Sequence, residues 1–260
     1  MVTIRGPGFG PRAPCFSARR EGSTATRIRI VTASANRRVP TDTLSFTVRL
    51  ARHRGDLVDA CRIRGAAYGH HLPQMAQPLA VPDALDGRPG TAIVVCRDKA
   101  SGAAIGTLRV QRSLHAPLTL ESSVILPRRY ADAARAEITR LAVAPGADPL
   151  TRLALMKASY LYAIANQVRW LVIGARSEAL IRIYRRLGFD DVLGPDDRVP
   201  LAHAGGLPHR ILAFDVVAAE RTWLGAGHGL YPFMIETFHP DLQLFEDTPL
   251  LEPAAALVAA

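Results

Sequence analysis

The sequence predicts an α/β protein built on a single mixed, mostly antiparallel sheet that is flanked by helices. Strand-like runs dominate the first half of the chain, whereas helical and strand-like patterns alternate in the second half. The chain has 260 residues, of which 48% are hydrophobic and 21% are charged, so it can bury a full core. This composition is that of a globular protein and not of a fibrous or disordered one.

In the first half, periodicity and turn residues define the elements. Alternating polar and apolar side chains indicate a half-buried strand, and Asp56 suits the first turn of the helix that follows. Residues 98–102 read as a hairpin turn between two further strands. The predicted elements are a strand over 44–50, a helix over 55–68, an irregular loop to residue 90, strands over 91–97 and 104–111, and a loop with a short helix over 117–134.

Residues 135–143 form the strand around which we predict the functional site. A central strand is normally a nearly continuous run of Val, Ile and Leu, but Glu137 and Arg140 interrupt this one. Because buried charge is unfavourable unless it is paired, the strand should lie beside a polar site or anchor a salt bridge. On a regular strand Glu137 and Arg140 would face opposite sides. Either a β-bulge between them restores a common face or the two residues have different roles, and we expect a bulge nearby.

The second half alternates helices and strands. A short apolar run over 169–174 is typical of a buried central strand, and Gly188 ends the following helix as a C-terminal cap. The predicted elements are a helix over 150–167, a strand over 169–174, a helix over 177–187, and strands over 189–193 and 211–217.

The positive charge is concentrated at the start of the chain. Residues 1–42 carry eight arginines and two acidic residues, a net +6 out of the total of +9. We predict a basic, disordered arm over 1–42, a main folded domain over 43–217, and a helical, aromatic extension over 218–260 that packs on the same domain.

Several functional classes are not indicated. The arm lacks the interleaved aromatic residues of a nucleic-acid binder, and no apolar run is long enough for a membrane span or a secretory signal. Cysteines occur only at positions 15, 61 and 96, without a Cys-x-x-Cys pair, so neither disulfides nor a zinc site is expected. The sequence therefore predicts a cytoplasmic protein without a metal.

Two sets of residues now carry a family resemblance. Residues 177–189 end in Tyr184-x3-Gly-Phe, which resembles a helix–strand ending common in GCN5-related N-acyltransferases. A second pattern resembles the acyl-homoserine-lactone synthases and the related N-acyl amino acid synthases, which are variants of that fold. Its members appear in order over about residues 45–217: Arg64-x3-Tyr68, Asp83-x2-Asp86, Arg109 and Glu137-x2-Arg140.

Two departures distinguish between these branches. Val81 stands where the lactone synthases usually carry an acidic residue, and the tryptophan expected between Tyr68 and Asp83 is missing. Both departures favour the N-acyl amino acid synthase branch. The resemblance thus implies transfer of a fatty acyl group from acyl-carrier protein to the amine of an amino acid or a similar small amine.

Amide formation from a thioester needs a base for the amine proton, polarisation of the carbonyl, and a proton for the leaving thiolate. Glu137 is the candidate base, directly or through water, and the resemblance makes Tyr184 the candidate acid. Arg140 would polarise the acyl carbonyl or hold the acceptor carboxylate. If the strand splays from its neighbour, backbone N–H groups from Leu141 to Val143 could bind the oxyanion.

The four other charged residues of the pattern have two possible roles. They either contact substrate, as we assign to Arg109, or form a structural ion-pair cluster that pins the loop over the sheet. The second role is favoured for the remaining three, which are Arg64, Asp83 and Asp86.

The donor site is predicted where the helix over 150–167 begins. Residues 144–152 contain one glycine and two prolines, with Asp148 where an anion would bind, so they form a poor pyrophosphate cradle. Thr151 and Arg152 would suffice for the single phosphate of phosphopantetheine. The donor is then acyl-phosphopantetheine on a carrier protein, or acyl-CoA, and no cofactor is held permanently. Exposed arginines would dock the acidic carrier, namely Arg128, Arg129, Arg152 and Arg185.

Two alternatives remain open. The first is a CoA-dependent acetyltransferase that acts on a small amine or a protein. The second is a non-catalytic module that binds acyl-carrier protein, in which Glu137 forms only a salt bridge.

Overall fold

The computed structural model describes residues 39–245, so most of the predicted arm and the end of the predicted extension lie outside the described residues. The strands are β1 Phe46–Leu50, β2 Thr91–Asp98, β3 Ala104–Arg112, β4 Arg135–Val143, β5 Trp170–Ala175, β6 Asp190–Asp191, β7 Val199–Leu201, β8 Leu207–Asp215 and β9 Leu242–Gln243. The helices are α1 Arg54–Gly69, α2 Pro73–Leu79, α3 Arg128–Ala131, α4 Leu150–Ala165, α5 Glu178–Arg186 and α6 Ala219–Gly225. Short 3-10 turns cover Thr119–Ser122 and Ala202–Ala204, and a π turn covers Pro232–Glu236.

The strands form one mixed sheet in the order β6-β8-β5-β4-β3-β2-β1-β9, and β7 pairs with the beginning of β8. Neighbouring strands are antiparallel except β4 with β5 and β1 with β9. The predicted single mixed, mostly antiparallel sheet with flanking helices is confirmed.

Helices cover both faces of the sheet because side chains alternate along each strand. Val94 and Cys96 of β2 belong to a core cluster with Leu155 of α4, and we call this side the α4 face. Ile93 of β2 packs with Cys61 of α1 on the other side, which we call the α1 face. The two layers bury the central strands on both sides.

Helix α2 lies in the region predicted as an irregular loop, and this part of the prediction was wrong. The helix has seven residues and contains Pro73 at its first turn and Pro78 inside, so its sequence looks like a loop. Glycines of α1 allow it to pack closely: a Cβ added at Gly65 would lie 2.8 Å from the Cβ of Ala80. This packing leads the chain into the loop that carries Asp83 and Asp86.

The described part of the C-terminal segment, which ends at residue 245, belongs to the same fold. Trp223 of α6 and Met234 of the π turn are buried in the α4-face core, and β9 extends the sheet beside β1. The Nζ of Lys157 on α4 donates to the carbonyl oxygens of Phe233 (2.6 Å) and Thr237 (2.7 Å). These two bonds anchor the π turn to α4.

Several predicted bounds differ from the structure in this half. Strand β8 begins at Leu207, four residues earlier than predicted, and β6 has two residues where five were predicted. The short strands β7 and β9 were missed, because two or three residues carry no periodicity. Among residues 39–245, no helix is long and apolar enough to cross a membrane, and no group of three His, Cys, Asp or Glu side chains could hold a metal.

Candidate active site

A β-bulge lies on β4 at Arg140. Thr107 pairs with Ala142 but Arg109 pairs with Thr139, so two residues of β4 oppose one residue of β3. Arg140 adopts a φ of +57°, in the left-handed region that disfavours residues with a Cβ. The predicted bulge is confirmed, and it carries a strained arginine where a glycine would be relaxed.

The bulge brings Arg140 to the same face as Glu137. Thr139 has the same parity as Glu137, and its hydroxyl accepts a hydrogen bond from Nε of Arg109 at 3.0 Å. Arg109 binds Asp83 at 2.7 Å, and Nη2 of Arg140 lies 3.5 Å from the other oxygen of Asp83. Glu137, Arg109 and Arg140 therefore all face the α1 side of the sheet.

A buried ion-pair cluster joins α1, β3 and the loop after α2. Asp86 lies between two arginines: its Oδ1 is 2.8 Å from Nη1 of Arg64 and 3.1 Å from Nη1 of Arg109. These three side chains are at most 2% exposed. Oδ2 of Asp86 also accepts the backbone N–H of Asp83 at 3.0 Å. The structure thus brings together the four residues for which the sequence suggested such a cluster, namely Arg64, Asp83, Asp86 and Arg109. The cluster holds the loop after α2 against the sheet.

The cluster carries more positive than negative charge. Arg64, Arg109 and Arg140 form ion pairs with Asp83 and Asp86, so three guanidinium groups share two carboxylates within these pairs. The carboxyl of Glu137 also acts on Arg109. Nη2 of Arg109 and Nε of Arg140 are buried without a hydrogen-bond partner in this part of the chain. Burial, and then Arg109, lowers the pKa of Arg140. A carboxylate is the complement that such a site can bind.

Glu137 is buried beside this cluster, with 1% of its side chain exposed. Its Oε2 accepts the backbone N–H of Leu120 at 3.0 Å. Glu121 holds that turn in place, since it binds Arg135 at 2.7 Å and accepts the N–H of Leu118 at 2.7 Å. Burial raises the pKa of Glu137 to about 7, although the N–H of Leu120 favours the carboxylate. A carboxyl with this pKa can take up and release protons near neutral pH.

The structure adds a residue that the sequence did not single out, which is His203. It lies on the 3-10 turn between β7 and β8, and its Nε2 is 3.4 Å from Oε1 of Glu137. Burial, followed by the charges of Arg140 and Arg109, lowers the pKa of His203 to about 4, so the imidazole is neutral. A lone histidine in a loop offers no sequence signal, because only the tertiary fold brings it to β4.

Strands β4 and β5 separate next to the bulge. Their pairing covers Arg135–Ile138 and Trp170–Ile173, and beyond these pairs β4 has no ladder with β5 in the described chain. The N–H of Ala144 donates to the carbonyl oxygen of Ile105 on β3. Because successive N–H groups of an antiparallel strand point to opposite sides, the N–H of Val143 points away from β3 and into the gap between β4 and β5. Leu141 is the second residue of the bulge. The N–H of Val143 is therefore not part of a ladder between β4 and β5.

Tyr184 lies on the opposite face of the sheet from Glu137, in the α4-face core. It is 4% exposed, and its ring centroid is 5.7 Å from that of Phe189. Burial raises the pKa of Tyr184, and Tyr68 raises it further. Because a thiol has a pKa of about 8.5, proton transfer from this phenol to a thiolate is unfavourable. Tyr184 can instead donate a hydrogen bond to a sulfur while it keeps its proton.

The beginning of α4 is already occupied by a carboxylate. Oδ1 of Asp148 accepts the N–H of Leu150 at 2.8 Å, and its Oδ2 accepts the hydroxyl of Ser45 at 2.5 Å. Thr151 is fully buried, with its methyl against Gly106, whereas Arg152 is exposed. Of these two predicted donor residues, only Arg152 reaches the surface.

The arginines suggested for carrier docking do not form one patch. Arg128 and Arg129 lie on α3, whose Tyr130 packs on the α1 face with Val172. Arg185 lies on α5, which packs on the α4 face, and it is paired with Asp191 at 2.5 Å. Arg152 and Arg185 therefore lie on one side of the sheet and the α3 arginines on the other.

Comparison with known proteins agrees with this fold. The family described as N-acyl amino acid synthase FeeM matches residues 59–205, more than half of the chain. The structure of FeeM, an N-acyl amino acid synthase from uncultured soil microbes, is 16% identical, covers 73% of this chain and 98% of its own, and has a TM-score of 0.54. BjaI, a CoA-dependent acyl-homoserine lactone synthase solved with SAM and isopentyl-CoA, is 14% identical, covers 81% and 98%, and has a TM-score of 0.49. No curated protein matches the sequence.

The fold, with its splayed central strands beside a buried carboxyl, defines an N-acyltransferase of the GCN5-related type. Within that class, the chain belongs to the FeeM family of N-acyl amino acid synthases, because the family match spans more than half of its length. The family predicted from the sequence is confirmed.

Proposed function

We propose that this enzyme transfers a fatty acyl group from the thioester of an acyl-carrier protein to the amine of an amino acid. One observation carries the proposal: buried arginine N–H groups without a hydrogen-bond partner among the described residues lie beside a buried carboxyl whose pKa is about 7. The first feature suits the carboxylate of an amino acid, and the second suits deprotonation of its amine. An acceptor without a carboxylate would leave these N–H groups without a charged partner.

Arg140 and Arg109 hold the acceptor carboxylate in this proposal. Each has a buried N–H without a partner in the described chain, and the carboxylate supplies the missing acceptor. Of the two roles considered for Arg140, the charge excess favours carboxylate binding over polarisation of the acyl carbonyl. The amine then lies toward Glu137, on the same face of β4.

The reaction follows from this placement. The neutral amine attacks the thioester carbonyl, its nitrogen loses a proton to the Glu137 site, the C–S bond breaks, and the thiolate gains a proton. The N–H of Val143 faces the gap between β4 and β5, where it stabilises the oxyanion. Tyr184 donates a hydrogen bond to the departing sulfur, since its raised pKa keeps the phenol protonated.

The acyl chain occupies the apolar interior on the α4 face. A narrow apolar cavity there is lined by Met156, Phe189, Phe214, Trp223 and Met234. The ring of Tyr184 contacts Phe189, and this contact supports an acyl pocket next to the proposed sulfur site. Methionine side chains adapt their shape readily, so the lining can open for an acyl chain.

The preference for a carrier protein over CoA rests on the beginning of α4. A pyrophosphate binds at a helix N-terminus through free backbone N–H groups, but Asp148 accepts one of them and places a negative charge there. A single phosphate at the exposed Arg152 avoids this repulsion. The acidic surface of a carrier protein would meet Arg152 and Arg185 on the same side of the sheet.

The test uses the purified full chain with medium- and long-chain acyl-carrier protein, the matching acyl-CoA, acetyl-CoA and a panel of amino acids, with products identified by mass spectrometry. We expect N-acyl amino acids from the carrier-protein donor, loss of product in Glu137→Gln, and normal turnover in the control Glu178→Gln, which changes an exposed carboxylate. Each amino acid is paired with its carboxamide, which should be a poor acceptor.

Three results would contradict parts of the proposal. Product from acetyl-CoA alone would make the enzyme a CoA-dependent acetyltransferase. Equal use of amino acids and carboxamides would remove the role of Arg140 and Arg109. Carrier-protein binding without any product would indicate a non-catalytic module.

A further inference from the structure

We propose that His203 is a catalytic residue that carries the amine proton between substrate and Glu137. This inference rests on the proposed function for its substrate, but it begins from a separate observation. Nδ1 of His203 is buried and has no hydrogen-bond partner in the described chain, while Nε2 lies 3.4 Å from Oε1 of Glu137. A buried polar atom without a partner is unfavourable, so such atoms often mark the position of a ligand.

The order of the two side chains places His203 nearer to substrate. Glu137 is 1% exposed and its Oε2 is engaged by Leu120, whereas the side chain of His203 is 12% exposed. His203 is on the 3-10 turn between β7 and β8, and its Nε2 lies beside Glu137 of β4. The imidazole is therefore the more exposed of the two side chains.

The surroundings keep the imidazole neutral. The charged and titratable groups around His203 are Glu137, Arg140, Arg109, Asp83 and His209. Two guanidinium groups oppose a third positive charge, and Asp83 is already paired with both arginines. A neutral imidazole beside an ionised Glu137 adopts the tautomer with hydrogen on Nε2, because the other tautomer would place two lone pairs against each other.

The proposed step moves two protons and leaves no charge on the ring. Nδ1 takes a proton from the amine nitrogen as the C–N bond forms, and Nε2 gives its proton to Oε1 of Glu137. The imidazole changes tautomer, and Glu137 becomes a neutral acid. When the C–S bond breaks, the thiolate takes a proton from water. Nδ1 then releases its proton to water, and Glu137 returns the other proton to Nε2. Glu137 is thus the net base, and His203 is the group that touches the amine.

The first test needs no turnover and so does not depend on the proposed function. In protein labelled with ¹⁵N-histidine, the His203 signals are assigned by comparison with His203→Gln. We expect the Nε2–H tautomer above about pH 7 and the Nδ1–H tautomer below it, as Glu137 takes up a proton. In Glu137→Gln this change of tautomer should disappear. A His203 ring that becomes imidazolium near pH 6.5, or that ignores Glu137→Gln, would overturn the relay.

The second test measures turnover in His203→Gln, whose amide can donate to Glu137 but cannot relay a proton. General acid–base groups contribute roughly 10²- to 10⁴-fold, so kcat should fall at least 100-fold, while the KM of the acceptor changes little. His203→Asn, which retains a polar atom near the Nδ1 position, should be equally impaired. If His203→Gln retains the activity of the unmodified enzyme, the histidine only orients Glu137 and the relay is wrong. Thermal unfolding should be similar in both variants.

Discussion

The left-handed backbone at Arg140 has a measurable energetic consequence. A residue with a Cβ in this conformation costs about 1–2 kcal/mol relative to the right-handed region, and glycine avoids this cost. Glycine in turn destabilises the folded state by about 0.5–1 kcal/mol relative to alanine, because its unfolded chain is more flexible. The balance favours glycine at a φ of +57°, so Arg140→Gly should be about 0.5–1 kcal/mol more stable than Arg140→Ala.

The control is Arg49, an exposed arginine of β1 with regular pairing to β2 and without a positive φ. There the order should reverse, with Arg49→Gly about 0.5–1 kcal/mol less stable than Arg49→Ala. Both variants at a site lack the guanidinium, so its loss cancels when the stabilities of the glycine and alanine variants are compared.

The free energy of unfolding is measured in urea by the fluorescence of Trp170 and Trp223. If Arg140→Ala is as stable as Arg140→Gly or more stable, the bulge is not strained and the reasoning fails. Both Arg140 variants should lose acyl transfer, since neither holds the acceptor carboxylate. Such a pair would show that the strain at this position is kept for function.

Three further predictions concern buried charge. Asp86→Asn should cost about 3–5 kcal/mol in urea unfolding, because it leaves the buried Arg64 without its ion-pair partner and Arg109 with Asp83 alone. The exposed Glu178→Gln should cost less than about 1 kcal/mol, and similar values for the two variants would contradict a buried cluster. Because the pKa of Glu137 is raised in the folded state, Glu137 is protonated there but ionised in the unfolded state between about pH 4.5 and 7. The free energy of unfolding therefore falls with rising pH in this window. Relative to the unmodified protein, Glu137→Gln should become more stable by a few kcal/mol as the pH rises from 4.5 to 8. A difference in stability between the two proteins that does not change with pH would exclude the raised pKa. Lys157→Met should increase hydrogen exchange across the π turn and β9 but not in α1, because it removes both bonds to Phe233 and Thr237.

Sequence periodicity was most informative where an element is long or its pattern is interrupted by charge. The bounds of β4 were predicted correctly, and the opposite parity of Glu137 and Arg140 predicted the bulge. Elements shorter than four residues, such as β9, were not predicted, because they are too short to show the periodicity of a helix or a strand. Helix α2 was missed because its two prolines outweigh its short run of helix formers.

By itself, the sequence determined the family, the order of the main elements and the residues of the ion-pair cluster. Local periodicity and motif spacing contain this information, since they depend on neighbours along the chain. Only the tertiary structure decided how these charges are arranged. It makes three guanidinium groups share two carboxylates, and it buries Glu137, which raises its pKa to about 7. It also brings His203, 66 residues further along the chain, to within 3.4 Å of Glu137. Burial and distance between remote residues are properties of the packed sheet, and no local pattern records them.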